Sequence, residues 1–282
     1  MEHRRRVPLR VVWPFVAITA SLVASCGPPS PPALAYAVPS TPEVRYEIAD
    51  TAVVHVSVMG QNLELRQAGV GSYAVAFGTS DVGVSVSLTV EDLAATIHPP
   101  MGEPLMIDEG DVRGDLVFTL DRRGGAAVSS SPRVEDNAMG MVSGLSLAHT
   151  FFPRLPGRAV AAGDAWVDTV SFEGHEGSGG RSETWALRHT VVGDTVVAGR
   201  PLLAISVTGT GDTANDLVVS GMSVSQASTL DLVAHVLWDY QRGLMIESVR
   251  TVSGTGTASV SIAPAPLPVR IEATQRARLQ ER

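Results

Sequence analysis

The sequence predicts a mainly β domain, with a curved antiparallel sheet (half-barrel, barrel or sandwich) and one packed helix near residues 135–152. Two observations support this prediction. Apolar and polar residues alternate with a period of two over most of the chain after residue 43, which is typical of strands with one buried face. The stretch Glu135–Phe152 instead repeats apolar residues at spacings of three and four, which is typical of a helix that packs through one side.

The clearest strand pattern is the run from Val82 to Val90, in which every second residue is Val or Leu. Turn-forming residues separate it from similar runs, so strands that follow each other in sequence are expected to pair as a meander. The other predicted strands are Val54–Val58, Leu63–Leu65, Tyr73–Phe77, Leu116–Leu120, Trp166–Val170, Thr184–Arg188, Leu202–Thr208, Leu217–Val224, Ser228–Trp238, Leu244–Val252, Ala258–Ile262 and Val269–Thr274.

The predicted helix has identifiable ends. Asp136 or Asn137 supplies an N-cap, and Pro153 stops the helix because proline has no backbone N–H to donate. Gly140 and Gly144 each weaken a helix interior by about 1 kcal/mol. We therefore expect the helix to depend on packing against the sheet.

One weak internal repeat is present. A strand, an aspartate, a short turn with glycine and a returning strand occur at Leu116–Val128 and again at Val236–Val249. The repeat fits two similar sheet halves, but this hairpin pattern is common enough that chance explains it equally well.

The N-terminal segment has the pattern of a secretory signal peptide. Met1–Arg10 carries four arginines, and Val11–Ala24 is almost wholly apolar. Fourteen helical residues rise about 21 Å, which is short of the roughly 30 Å hydrocarbon core of a bilayer. A cleaved leader therefore fits better than a permanent transmembrane helix.

The leader ends at Val23-Ala24-Ser25-Cys26, which contains the single cysteine of the chain. This tetrapeptide resembles the lipobox of bacterial lipoproteins. The resemblance implies that the Cys26 sulfur carries diacylglycerol, that cleavage precedes Cys26 and that the new amine is acylated, so that the lipid holds the protein on a membrane of the cell envelope. The alternative is an ordinary signal peptide with an incidental cysteine. Which membrane holds the protein is left open.

A second resemblance lies after the predicted helix. Leu155-Pro156, Val160 and Gly163-Asp164 followed by Trp166 are similar to uncharacterised families of envelope lipoproteins with mainly β domains. Those families have no assigned activity, so the resemblance implies only fold and location.

The predicted domain organisation follows from these segments. Residues 1–25 form the signal peptide, 26–42 a lipidated proline-rich tether, 43–276 a single β domain or two similar halves, and 277–282 a tail. The six prolines after Cys26 favour extended backbone at about 3.1 Å per residue, so the tether is expected to reach roughly 50 Å.

Composition excludes some functions. The net charge is −8, and every cationic side chain other than histidine is arginine. An acidic protein is a poor partner for nucleic acid or for bare anionic lipid headgroups. The single cysteine leaves no intramolecular disulfide, so stability has to come from the apolar core.

Catalytic and ligand-binding motifs are weak. Gly69–Ala74 matches a dinucleotide-binding motif in letters, but the motif needs a helix N-terminus, whereas Ser72–Phe77 is predicted to be a strand. Gly144–Ala148 falls one residue short of a nucleophile elbow, although Ser146 and His149 would share a helix face. We therefore predict no catalytic residue and no cofactor.

The metal-ligating residue types also lack a recognisable pattern. The histidines beyond residue 50 have no ligand spacing. An acidic loop formed by Asp108, Glu109, Asp111 and Asp115 lacks the spacing of an EF-hand, so a solvated turn is favoured over a calcium site.

Three functional hypotheses remain. The leading one is a non-enzymatic envelope lipoprotein that binds a protein partner or an envelope component through its sheet. The alternative is a carrier for a lipid or other hydrophobic ligand, held between sheet and helix by Met139, Met141, Leu145 and Phe152. This architecture resembles, by class, periplasmic lipoprotein carriers and other lipid-binding half-barrels, although the same residues would also fill a solid core. An esterase-like hydrolase is the remote third hypothesis.

Overall fold

The computed structural model describes residues 33–58, 60–135, 143–176, 179–219, 222–261 and 265–281. It is mainly β, as predicted, with one α-helix in the described ranges, α1 (Gly144–Thr150), and one short 3₁₀ turn, Glu109–Asp111. The strands are β1 (Ala33–Leu34), β2 (Glu43–Val58), β3 (Gln61–Ser80), β4 (Gly83–His98), β5 (Leu105–Asp108), β6 (Val112–Arg113), β7 (Leu116–Leu120), β8 (Ala126–Ser130), β9 (Arg133–Val134), β10 (Arg158–Ala159), β11 (Ala165–Glu176), β12 (Gly179–Val197), β13 (Arg200–Val219), β14 (Met222–Asp239), β15 (Leu244–Val260) and β16 (Leu267–Gln280).

The main sheet is an antiparallel half-barrel. Eleven strands follow one another in the order β11-β12-β13-β14-β15-β16-β2-β3-β4-β7-β8, and β5 adds to β4. The C-terminal strand β16 pairs with β2 over twelve residue pairs, from Val56–Val269 to Arg45–Gln280. The first and last long strands, β2 and β16, are therefore neighbours in the middle of the sheet. The two edge strands, β8 and β11, are joined in sequence by the segment that contains α1.

The helix lies between the two edges of the sheet. It contacts β11 on one side and β7 and β8 on the other. Its N-cap is Ser143, whose Oγ accepts a hydrogen bond from the backbone N–H of Ser146. A seven-residue helix is too short to be stable alone, so its packing against both edges holds it in place.

The helix is shorter than the prediction of 135–152. Glu135 is not helical, the proposed caps Asp136 and Asn137 lie outside the described residues, and α1 ends at Thr150 with Phe151 as C-cap. The start differs because Ser143 has extended backbone and caps the helix itself. Gly144 is therefore in the first turn rather than in the helix interior, where it would cost most stability.

The structure differs from the predicted domain bounds at both ends. Leu34 and Tyr36, within the predicted tether, are buried in the core. Ala277 and Leu279, within the predicted tail, are also buried, because β16 continues to Gln280. Proline content and a charged terminus suggested exposed chain, but each segment places apolar side chains in the core.

Strand β13 is also longer than predicted. The sequence indicated separate strands at Leu202–Thr208 and Leu217–Val224, whereas the structure has one strand from Arg200 to Val219 and a hairpin into β14. The polar, glycine-containing stretch between them suggested a loop. It is a strand because β12 and β14 satisfy its backbone hydrogen bonds from both sides.

An aromatic cluster forms the core where the segment after α1 meets the sheet. Phe152 lies at its centre, with ring centroids 4.8–6.4 Å from those of five other aromatic residues: Tyr36, Tyr46, Phe77, Phe118 and Phe151. The Tyr36 hydroxyl donates to the Pro153 carbonyl at 2.6 Å. The core is therefore densely packed around Phe152.

Candidate binding cavities beneath the helix

Two adjoining cavities lie between α1 and the inward face of the sheet. The larger has a volume of about 230 Å³ and the smaller about 60 Å³. Thr150 and Arg250 line both of them. The two cavities therefore meet beneath the helix, at one cationic side chain.

The larger cavity has mixed walls. Ser143, Ser146 and Leu147 of α1 form one wall. Opposite them are inward-facing residues of four adjacent strands, among them Ile48, Ala52, Tyr73, Val252 and Ala273. Small side chains at Ala52 and Ala273, which are directly paired across β2 and β16, leave the space open.

Asp50 is an acidic group on the wall of the larger cavity. Its carboxylate accepts a hydrogen bond from Gln67 Nε2 at 3.3 Å. Burial raises the pKa of Asp50 above the usual aspartate value, and the Gln67 hydrogen bond opposes this only in part. Negative charge is therefore disfavoured at this end of the cavity.

The smaller cavity combines an apolar lining with cationic and imidazole groups. Its polar side chains include Arg154, Arg250, His149 and His189, and no acidic side chain from the described ranges lines it. The remaining wall is largely apolar: Phe151, Phe152, Pro153, Val170, Trp185, Leu187, Val207, Leu232, Ala234 and Val236.

Both histidines of the smaller cavity stack on aromatic rings. His189 lies parallel to Trp166 with centroids 5.0 Å apart, and His149 lies parallel to Phe172 at 4.6 Å. Burial lowers the pKa of His149 and lowers that of His189 to about 4, so His189 is neutral at pH 7. Its Nδ1 is buried without a hydrogen-bond partner in the described structure.

Arg250 projects from β15 into the interior, where it is paired across the sheet with inward-facing Ala234. Burial lowers its pKa, while the more distant Glu183 raises it. Glu183 is already engaged, because it accepts a hydrogen bond from Trp185 Nε1 at 2.8 Å and forms an ion pair with Arg181 at 2.6 Å. Within the described ranges, no carboxylate lies within salt-bridge distance of Arg250.

The structure describes only some of the residues that the sequence predicted to carry lipid or to bind a ligand. Cys26, Met139 and Met141 lie outside the described residues. Phe152 is buried in the aromatic cluster and lines the smaller cavity. Leu145 packs against Gly174 of β11 and lines neither of the two cavities. Of the two predicted ligand-binding residues that the structure describes, Phe152 is at a cavity wall and Leu145 is not.

The candidate hydrolase pair is not assembled. Ser146 lines the larger cavity and His149 the smaller one, and no hydrogen bond joins them in the described part of the chain. The backbone of Ser146 donates to the Ser143 Oγ cap and accepts from the Thr150 hydroxyl. The arrangement therefore gives no activated serine.

The other sequence motifs have structural roles. Gly69–Ala74 lies within β3, so no helix begins at this motif. In the acidic loop, Asp108 caps the 3₁₀ turn by accepting from the Gly110 N–H, and Asp115 accepts from the Thr89 hydroxyl. No group of three or more metal-ligating side chains was found among the described residues.

Sequence reasoning missed the interior charges. The sequence did indicate that Asp50 faces inward. The alternation of Val54, Val56 and Val58 extends back through the even-numbered positions of β2, which face inward and include Asp50. No such signal existed for Arg250. Val249 and Val252 point to opposite faces of β15, so the sequence does not show which face is inward.

Comparison with known proteins gives only a general similarity. No protein-family model and no curated protein matches the chain. OccK2 (OpdF) of Pseudomonas aeruginosa is 8% identical and matches over 85% of this chain and 98% of its own, with a TM-score of 0.27. A BenF-like porin from Pseudomonas fluorescens Pf-5 is 6% identical over 85% and 99%, with a TM-score of 0.24.

OmpT, an outer membrane protein of Vibrio cholerae, is 8% identical over 84% of this chain and 99% of its own, with a TM-score of 0.16. At these values the similarity is limited to an array of many antiparallel strands, and no function follows from it. In the described part of the chain, no helix has the length and apolar character needed to cross a membrane.

Proposed function

We propose that this chain is an exported lipoprotein of the bacterial cell envelope whose half-barrel binds an amphiphilic molecule beneath α1. The observation that supports binding is the cavity of about 230 Å³ between α1 and the sheet. Protein cores have few voids larger than a water molecule. A concave space with both apolar and polar walls is instead typical of a small-molecule site.

Native mass spectrometry tests this proposal. The full chain carrying Cys26→Ser, which removes the anchoring lipid, is isolated from envelope extracts and is expected to retain a non-covalent adduct. Ala273→Phe fills the larger cavity and is expected to abolish the adduct. Ala68→Phe is the matched control, because Ala68 is exposed on the opposite face of the sheet.

Two results would contradict cavity binding. One is an adduct-free mass together with no uptake of added amphiphiles by the Cys26→Ser chain. The other is equal loss of the adduct in both phenylalanine variants, since the control leaves the cavity unchanged.

The lipid anchor is the second part of the proposal. It is supported by the basic segment, the apolar stretch and the small residues that precede Cys26. Labelled palmitate is expected to enter the wild-type protein in cells and not the Cys26→Ser variant. Equal labelling of both proteins would exclude acylation at this residue.

A protein partner is a second candidate for what the domain binds. Two methionines near the start of β5 are largely exposed. Met101, in the loop that joins β4 to β5, is 79% exposed, and Met106, within β5, is 70% exposed. A photo-crosslinking residue at Met106 is expected to capture a partner in intact cells. The control site is Val82, which is 68% exposed on the hairpin at the opposite end of β4, and equal capture there would argue against a specific surface.

A further inference from the structure

The smaller cavity is an unusual place for positive charge. Its walls are largely apolar, yet Arg154 and Arg250 line it, and no acidic side chain of the described residues does so. Burying a cation without a partner is costly, so interior arginines are normally paired with carboxylates. The composition of this cavity therefore indicates a missing anionic partner.

Arg250 is the clearest case. The charge of Glu183 acts on Arg250 from a distance, but this carboxylate is held by Arg181 and by the Trp185 indole N–H. On the other side of Arg250, the directly paired residue on β16 is Gln275, which is uncharged, and the next inward position on β2 is Asp50. Asp50 forms its hydrogen bond with Gln67, on the strand further away. Neither acid neutralises Arg250.

Two further polar groups at this cavity lack partners in the described structure. Arg154 Nε and His189 Nδ1 are both buried, and neither has a hydrogen-bond partner. His189 as a whole is only 1% exposed, so water does not readily satisfy it. Three groups able to donate hydrogen bonds thus line one small cavity that has no acceptor carboxylate.

We infer that the two cavities together bind one amphiphilic acid, with Arg250 as the main partner of its carboxylate. Arginine presents a planar pair of donors that matches a carboxylate. The cavities meet at Arg250, so one molecule spans both. The larger cavity offers the carboxylate no better place, because Asp50 repels it and Arg181 is already paired with Glu183. This inference depends on the proposed binding function.

Three probes with the same sixteen-carbon chain test the inference: hexadecanoic acid, 1-hexadecanol and hexadecyl phosphate. Binding to the full chain carrying Cys26→Ser is measured by calorimetry. The acid is expected to bind at least tenfold more tightly than the alcohol. Arg250→Gln is expected to remove this preference without weakening alcohol binding, and Arg250→Lys to restore part of it.

Arg270→Gln is the matched control. Arg270 is exposed and pairs with Glu272 on its own strand, so its removal is expected to leave both affinities unchanged. Equal binding of acid and alcohol, or an unchanged preference in Arg250→Gln, would overturn the carboxylate site and leave the proposed function standing. Tighter binding of hexadecyl phosphate would overturn the choice of carboxylate. Failure of all three probes to bind would overturn the inference and the proposed function together.

Discussion

Single residues in the interior make the folding of this protein sensitive to acid. His189 is almost fully buried and stacked on Trp166, and its pKa is lowered to about 4 by burial. Asp168 favours its protonation and Arg154 opposes it, but burial is the largest effect. The unfolded chain has the ordinary histidine pKa of about 6.5, so the unfolded state takes up this proton first as pH falls.

Replacing His189 is expected to change the pH dependence of stability. The contribution of His189 to the free energy of unfolding is fully present above about pH 6.5 and is lost as pH falls toward 4. The total loss is about 3 kcal/mol. His189→Gln is therefore expected to lose less stability than wild type across that window. Urea unfolding at pH 7, 5.5 and 4 measures this difference in stability. His235→Gln, at an exposed position, is the control. Parallel curves for His189→Gln and wild type would show that His189 titrates normally.

Tyr46 joins two distant parts of the core through its hydroxyl. The side chain is fully buried, and the hydroxyl donates to the Met245 carbonyl at 2.7 Å. Tyr46→Phe keeps the ring but leaves that buried carbonyl without this donor, which is expected to cost about 1–3 kcal/mol. Chemical denaturation measures the loss. Tyr240→Phe, at a half-buried position, serves as control, and an equal loss in both would contradict a special role for the Met245 contact.

Residue-level features were predictable only where a strand has one clearly apolar face. Val82–Val90 shows such a face, and its even-numbered residues Val84, Val86 and Leu88 are buried. In β15 both faces carry valine, so Arg250 could not be assigned to the interior from sequence. Its position follows from pairing with β14, which is a long-range property of the sheet.

At the level of elements, inward-facing glycines make room for large side chains on neighbouring strands. Gly211 of β13 faces the ring of Trp185 on β12, and a Cβ at this position would overlap that ring. Trp185 in turn lines the smaller cavity. The position of the Trp185 ring, and with it this part of the cavity wall, thus depends on a glycine in a stretch that the sequence suggested was a loop.

Gly211→Ala is therefore expected to destabilise the protein by about 1–3 kcal/mol, because the Trp185 ring has to move. The control is Gly78→Ala on β3, where an added Cβ would have only one neighbour, at 3.9 Å. That change is expected to be neutral or slightly stabilising, since alanine costs less backbone entropy than glycine. Thermal unfolding compares the two. Equal shifts would contradict the steric explanation.

The repeated strand–Asp–turn–Gly–strand pattern corresponds to two real hairpins. In the first, Asp121 Oδ1 accepts from the N–H groups of Arg123 and Gly125, and in the second, Asp239 Oδ1 accepts from those of Gln241 and Arg242. Each turn then contains a glycine with positive φ, 87° at Gly124 and 73° at Gly243, where other residues are strained. Local turn chemistry was thus readable from the sequence.

The two turns differ in burial, and this difference predicts unequal effects of mutation. Asp239 is 3% exposed and also accepts from Arg242 Nε at 2.8 Å, whereas Asp121 is exposed. Asp239→Ala is expected to cost about 2–4 kcal/mol and Asp121→Ala about 1 kcal/mol. Urea unfolding of the two variants measures both values. An equal cost would show that the turn geometry, rather than the buried charge, determines stability.

At the scale of the whole molecule, the fold is closed by contacts between residues far apart in sequence. Period-two alternation predicted an antiparallel sheet, but not that β16 would pair with β2 at its centre. Nor did it predict that the segment between the edge strands would carry the helix that lies between them. Such pairings depend on how the whole sheet is arranged rather than on any local pattern. For this reason, the domain bounds predicted from the sequence were too narrow.

The segment before β2 tests whether contacts between residues far apart in sequence stabilise the fold. β1 pairs with β10 beyond the helix, Leu34 is fully buried, and the Tyr36 ring contacts Phe152 and Trp238. If the chain before residue 43 were only a tether, its removal would leave stability unchanged. Because it fills the core beside the post-helix segment, Tyr36→Ala is expected to cost about 3–5 kcal/mol.

Val38→Ala, in the same segment but 38% exposed, is the control and is expected to change stability by less than about 1 kcal/mol. Hydrogen exchange distinguishes the two interpretations further. Loss of the Tyr36 ring is expected to raise exchange at Leu155 and Gly157, whose amides donate to Arg123 and Leu34 carbonyls, because both belong to the same closure. Unchanged exchange there, together with wild-type stability, would return this segment to the role of a passive tether.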